Sequence, residues 1–548
     1  MYHSKRISIM KALKYMAGVI LAALALSSCQ KELDIPQKGV LDMDEYYATA
    51  GPEEAESLIA RVYDLYLDVP EGAQATIFMD ILSDDMSAGG NSFTDNSNDY
   101  QMANNLICTS SDWAFKNVYP ALYKIIYYCN LIIERIPETS DARVNRVKAE
   151  ANFMRSICLF QAIRWWGTPP FADHVYASDE IYAPNGNTAE MIEWILKNLK
   201  DASDKLPAIS AMGAQQEFGA RVSKHAALAY MGKVALWYGT KINDKNMVAR
   251  AIDPLKTVIM SGLYDLIDDP SQLGRPAADF CKEYIFEHNA SESDGYPAYQ
   301  ADNRHIWRTP RPEHMNLPDQ LYPMGWGFCV PTGDFGRFLE RHEGGVEKPR
   351  FKASILTYDQ IMDMSYTLTS GPGAFAAGIP HCEGYFNAKT LLYREDIISM
   401  PGWWKYSKSN VAYMRYAEVL LLYAEAQFVA NGDADGSGAD ALNVVRRRAQ
   451  IPEVGALTYQ IIKDERRAEL FAEQERYFDL VRWGDAATAL KDKGKKWYTF
   501  YGYKPGTKEW RVESVQGNGK GWDDKYNLLP FPYEQVAANK NLVQNPNW

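Results

Sequence analysis

Cysteine is scarce and scattered: seven stand among 548 residues, and no two form a C-x-x-C pair. Cys108, Cys129, Cys158, Cys281, Cys329 and Cys382 therefore offer neither a zinc nor a redox spacing. Cys129 and Cys158 fall inside apolar helical patterns, where a buried free thiol is the expected state. Positive charge is also short, with 58 Lys and Arg against 70 Asp and Glu. Affinity for phosphate backbones comes from clustered Lys and Arg, so the balance argues against nucleic acid as a partner. Beyond residue 26 no apolar run approaches the ~20 residues a membrane-spanning helix needs.

Catalytic signatures are missing as well. His342-Glu343 starts like a zinc-protease motif, but Val346 holds the place of the second histidine. Gly517 to Gly521 lacks phosphate-loop spacing, and Gly436-Ser437-Gly438 is not a G-x-S-x-G elbow. Asp433, Asp435 and Asp440 hint at calcium, yet Val444 sits where an EF-hand places glutamate. A turn between helices is the better reading, and no metal or cofactor is expected. Glu418 and Glu425, seven residues apart, share a helix face with Cα atoms ~10.5 Å apart along the axis. That is too far for a retaining glycosidase pair and compatible with an inverting one. Arg415, Arg446, Arg447, Arg466, Arg467 and Arg476 supply the alternative, ion pairs between packed helices.

What is present begins at the N-terminus. Lys5, Arg6, Lys11 and Lys14 precede an apolar stretch from Tyr15 to Leu26, the pattern of a signal peptide. Leu26-Ser27-Ser28-Cys29 resembles the lipobox of bacterial lipoproteins, in which cleavage leaves a lipid-bearing cysteine. Residues 1–28 then form the signal and 29–50 a lipidated tether. Losing the four positive charges takes the formal net charge from −12 to −16.

Helical periodicity dominates the rest. Helices are expected at Glu53 to Leu67, Trp113 to Ile136, Asp141 to Trp166, Thr188 to Leu206, Val222 to Gly239 and Val248 to Ser261. Three more follow at Val411 to Ala430, Ala439 to Ala449 and Gln460 to Trp483. Short links make them antiparallel neighbours, so the fold class is all-α, built of stacked helix hairpins. Two stretches differ. ILSDDMSAGGNSFTDNSNDY (81–100) reads as a long loop, and about 267–411 holds 12 of the 27 prolines, as loops laid over the helical body. Tyr (35) and Trp (14) together outnumber Phe (20), and their flat faces with polar edges suit sugar rings. Trp113, Trp165, Trp237 and Trp483 lie in helical patterns and are assigned to packing, leaving the loop aromatics Tyr100, Trp307, Tyr322 and Trp326 as ligand candidates.

Several stretches together resemble the SusD-like (RagB/SusD) family of surface glycan-binding lipoproteins. They are AEANFMRSICLFQAIRWWGTPPF (149–171), RVSKHAALAYMGKVALWYG (221–239), RYAEVLLLYAEA (415–426), LNVVRRRA (442–449), DERRAELFAEQERYFDLVRWG (464–484) and NLLPFPYEQVAANKNLVQNP (527–546). The resemblance implies a tetratricopeptide-like helix-pair superhelix with a large loop-rich ligand-binding region, as one domain over 51–548. It implies a surface-exposed outer-membrane lipoprotein, with Glu32 and Asp34 resembling a surface-export signal. It also implies a non-catalytic lid that captures oligosaccharide for a SusC-like TonB-dependent transporter. In the family, sugar contacts come from the loop after the first acidic patch, here SDDMSAGGNSFTDNSNDY (83–100), and from the loop region holding QLYPMGWGFCVPTGDF. Within these segments Asp85, Asn98, Tyr100, Trp307, Tyr322 and Trp326 are chosen on side-chain chemistry. The alternatives are a peptide- or glycoprotein-binding lid, a surface glycoside hydrolase, and a helical scaffold without a small ligand.

Overall fold

The computed structural model describes residues 43–68, 72–95, 98–209, 220–290, 304–311, 314, 320–322, 325–363, 378–398 and 406–548. The signal peptide, Cys29, Glu32 and Asp34 lie outside them. Residues 1–50 form a unit of their own, described over 43–50, where Met43–Ala48 is a helix. The remaining unit, Gly51–Trp548, carries everything that follows.

Its helices form because apolar residues recur at three and four. In Trp113–Arg135 the stripe Leu122, Ile125, Ile126, Cys129 and Ile132 is buried. The next helix, Ala142–Trp166, is held at its start by Asp141, which accepts from the Arg143 N–H at 2.8 Å. From Ala149 to Trp166 every residue is buried, so this helix is enclosed on all sides. Thr188–Lys205, Lys224–Lys241, Ile252–Met260, Tyr416–Asn431 and Ser437–Ala449 follow, each packed on its predecessor. The architecture is the expected all-α stack of helix pairs. Asp433 forms the turn before the last of them, accepting from the Gly438 and Ala439 N–H groups.

Three expected helices are interrupted. Val411–Arg415 is a strand, because it completes a ladder with Tyr284–His288. Gln460 to Trp483 splits into Tyr459–Glu469 and Glu475–Trp483, with Ala472 and Gln474 at positive φ between them. Val248 to Ser261 splits into Lys245–Ala249 and Ile252–Met260. Trp113 is also corrected: at 37% exposure it faces outward and is not a core residue.

Short antiparallel ladders organise the irregular half. Met86–Gly89 pairs with Phe328–Pro331, Ile355–Thr357 with Tyr385–Asn387, and Ile379–Pro380 with the hairpin Lys496–Tyr503/Trp510–Gln516. The C-terminal segment closes the body. Leu529 N–H donates to the Trp165 carbonyl at 2.7 Å, the Trp166 indole to Pro530 O at 2.8 Å, and Asn545 Nδ2 to Trp166 O and Leu529 O at 3.1 and 2.7 Å.

Charges at the helix interfaces are paired. Arg415 reaches Glu283 at 2.5 Å and Glu469 at 3.1 Å, and Arg350 joins Glu343 and Glu465, each at 2.6 Å. Glu418 and Glu425 occupy separate ion pairs. Glu418 meets Lys233 at 2.9 Å, and Glu425 meets Arg482 at 2.5 and 2.6 Å with the Trp483 indole at 2.8 Å. Burial opposes ionisation of Glu425, but Arg482 more than offsets it and holds the carboxyl at about 2. Both side chains are buried and neither presents a face to a sugar.

Candidate functional site

The 81–100 stretch and the 304–331 region meet on the Met86–Gly89/Phe328–Pro331 ladder, in register Met86↔Pro331, Ser87↔Val330 and Gly89↔Phe328. Just before this strand, Asp84 takes both Arg476 donors at 2.8 and 2.9 Å, and Asp85 accepts from Arg467 Nε at 2.7 Å. Lys493 Nζ donates to Ser83 O and Met86 O. Asp85 is 2% exposed, and burial pushes its carboxyl up to about 6. The expectation that it bonds sugar hydroxyls is therefore corrected: it is an internal counter-ion that anchors the start of the strand.

Above the ladder lies an aromatic shelf. Trp307 comes from the short helix Arg304–Arg308, and Trp326 and Phe328 from the returning segment. The Trp307 ring is 6.1 Å from Trp326 at 32° and 5.6 Å from Phe328 at 36°. Tyr100, from the helix Asn98–Asn105, stands edge-on to Trp307 at 6.2 Å and to Phe328 at 5.1 Å. Three residues picked from sequence thus converge, with unequal roles. Trp307 and Trp326 are half-buried, whereas Tyr100 is 4% exposed and supports the shelf from beneath. Its place as a ligand contact is corrected by that burial.

Main-chain bonds fix the two indoles relative to each other. Trp326 N–H donates to Ile306 O at 2.9 Å, and Gly327 N–H to Thr309 O at 3.0 Å. The two segments approach so closely that a Cβ on Gly325 would lie 2.0 Å from the Thr309 carbonyl oxygen, which requires glycine there. Below, buried Arg308 meets Asp80 at 2.5 Å and donates to Ala472 O at 3.1 Å, tying the short helix to the body.

Tyr322 lies apart. Its N–H donates to Leu392 O at 2.8 Å, and its ring takes the Arg394 guanidinium at 5.7 Å. Asn98 opens the Asn98–Asn105 helix, and its side chain is outside the described residues. Sequence reasoning missed Phe328, Arg308 and Arg311. Only their position within the two loop segments could have flagged them, because their partners Tyr100 and Asp80 are more than 200 residues away in the chain. A cavity of about 270 Å³ lies elsewhere, lined by Ile59, Tyr63, Asp64, Arg221 and His288. Its Arg221 is already bound to Glu56 and Glu150, and its Tyr63 to Glu150, so the shelf is the better candidate.

Two family models match the chain. One, described as "SusD family", covers residues 282–548, and the other, "Starch-binding associating with outer membrane", covers 41–236. The chain belongs to the SusD family. This SusD-family chain is 22% identical over 468 residues to a SusD-like protein of Formosa agariphila, covering 77% of each. Among solved structures, surface glycan-binding protein A from Bacteroides fluxus matches at TM-score 0.72, with 21% identity over 91% of this chain and 100% of that one. The Bacteroides thetaiotaomicron protein of that name, in complex with laminarihexaose, matches at TM-score 0.69, with 22% identity over 90% and 99%. At these identities the SusD-family fold is shared. No described helix is long and apolar enough to cross a membrane.

Proposed function

We propose that this protein captures oligosaccharide at the cell surface on the Trp307–Trp326 shelf and delivers it, unchanged, to a SusC-like TonB-dependent transporter. The observation that carries the reading is the pair of half-buried indoles, brought together from separate segments that main-chain hydrogen bonds join. A flat apolar face with a polar rim matches the C–H face and hydroxyl edge of a pyranose. Glycan-binding names among the relatives, laminarihexaose in one case, support the ligand class. The ion-paired state of Glu418 and Glu425 supports binding without hydrolysis. Lipid on Cys29 holds the protein at the outer membrane, since one residue bearing two or more acyl chains anchors stably.

The test is calorimetric titration of the full-length protein in detergent with laminarihexaose, then a panel of other oligosaccharides and a peptide mixture. Saturable heat with one glycan class is expected, and Trp307→Ala or Trp326→Ala should weaken it by roughly tenfold or more. Heat with peptides alone would replace the glycan by a peptide cargo. Release of shorter sugars during the titration would make the protein an enzyme.

A further inference from the structure

We propose that Arg311 is the positioning residue of the shelf, a latch that fastens the Asn91–Asp95 loop to the Trp326 segment and holds the two as one face. Its functional consequence rests on the glycan-binding reading above; its geometry does not. The side chain is nearly buried, at 9% exposure, and its guanidinium meets both the Trp326 segment and the 91–95 loop. Nε donates to the Trp326 carbonyl at 2.8 Å, and NH2 lies 3.4 Å from Asp95 Oδ2. The planar group stands 5.3 Å from the Trp326 ring centre and 5.9 Å from that of Phe328.

Asp95 continues the connection. The same Oδ2 accepts from the Asn91 N–H at 2.8 Å, closing the turn across residues 91–95. Phe93, inside that turn, stacks on Trp497 at 5.0 Å and 24°, and stands edge-on to His381 at 4.8 Å. A path therefore runs from the Lys496–Tyr503 strand to Phe93, along the backbone of the turn to Asp95, and through Arg311 to the Trp326 main chain. Only a guanidinium fits this junction, because it offers fixed in-plane donors and a flat face for the rings; lysine would supply one point charge and no plane. Aromatic side chains on a loop lose rotamer freedom when a ligand orders them, and a shelf held beforehand avoids that cost.

The latch is tested on full-length protein in detergent, labelled with 5-fluorotryptophan. The Trp307 and Trp326 fluorine signals are assigned from Trp307→Phe and Trp326→Phe. Without ligand, Arg311→Gln and Arg311→Lys should shift or broaden these two signals and leave those of the core residues Trp165 and Trp237 in place. With laminarihexaose as probe, Arg311→Gln should weaken binding about tenfold, and the Arg311→Gln/Asp95→Asn double variant should be no weaker than Arg311→Gln alone. Asp95→Asn, which keeps the arginine, carries the test if the Arg311 variants do not fold, and must then move the Trp326 signal. Unchanged Trp307 and Trp326 signals in the variants that fold would overturn the latch even if glycans bind. Signals that move in a protein that binds no glycan would leave the latch standing and remove the glycan reading.

Discussion

Tyr100 shows how a side chain can belong to the aromatic cluster and still be closed off from solvent. Its ring supports Trp307 and Phe328, while its buried hydroxyl finds no hydrogen-bond partner among the described residues. Leaving such a group unpaired costs free energy that a phenylalanine would not. Tyr100→Phe should therefore melt at the same temperature as wild type or slightly higher, by calorimetry, and should keep its glycan affinity. A drop in either would mean that the hydroxyl is bonded in solution. Residue chemistry singled out Tyr100, Trp307 and Trp326 from two separate loop segments, but neither their meeting nor their exposure could be read locally. Asp85 is the clearest case: an Asp/Asn-rich stretch looks open to solvent, and the arginine that encloses it stands 382 residues later.

At the scale of elements, close packing of helices demands small residues at particular contacts. Gly232 in Lys224–Lys241 faces Ile252–Met260, and a Cβ added there would lie 2.3 Å from Leu255 Cγ. Gly232→Ala should destabilise the protein by about 1–3 kcal/mol through forced repacking, read from the urea midpoint. A neutral result would mean that the two helices separate at little cost. The long helices were legible because their period is local: Trp113–Arg135 and Ala142–Trp166 fall within a residue or two of expectation. Their interruptions were not. Nothing inside VAYMR announces a strand; its partner Tyr284–His288 decides it from over 100 residues away. The shelf ladder has the same character, being specified by Met86–Gly89 and Phe328–Pro331 together and by neither alone.

Across the whole molecule, buried carboxyls set how stability varies with pH. Glu287, within the Tyr284–His288 strand, is pushed up to about 7 by burial, while accepting from Asn410 at 2.7 Å and Phe280 N–H at 3.1 Å. Between its unfolded value near 4.5 and about 7 the folded state holds the extra proton, so this group's contribution to stability falls as pH rises. Glu425, held at about 2, acts in the opposite sense: its contribution is present above about 4.5 and is lost as pH falls toward 2. Urea midpoints at pH 5 and pH 7.5 should therefore differ less in Glu287→Gln than in wild type, with the variant gaining most at the higher pH. An unchanged difference would place the titration elsewhere. The closure of the body by its last segment bears on time as well as on stability. Trp165 and Trp166, at the end of the enclosed helix, are capped by residues 529–545. A chain delivered N-terminus first must leave the Trp165–Trp166 end of that helix uncapped until nearly all of its length has arrived. The last step of closure is then late, and the interval before it is when that apolar end most needs shielding from aggregation.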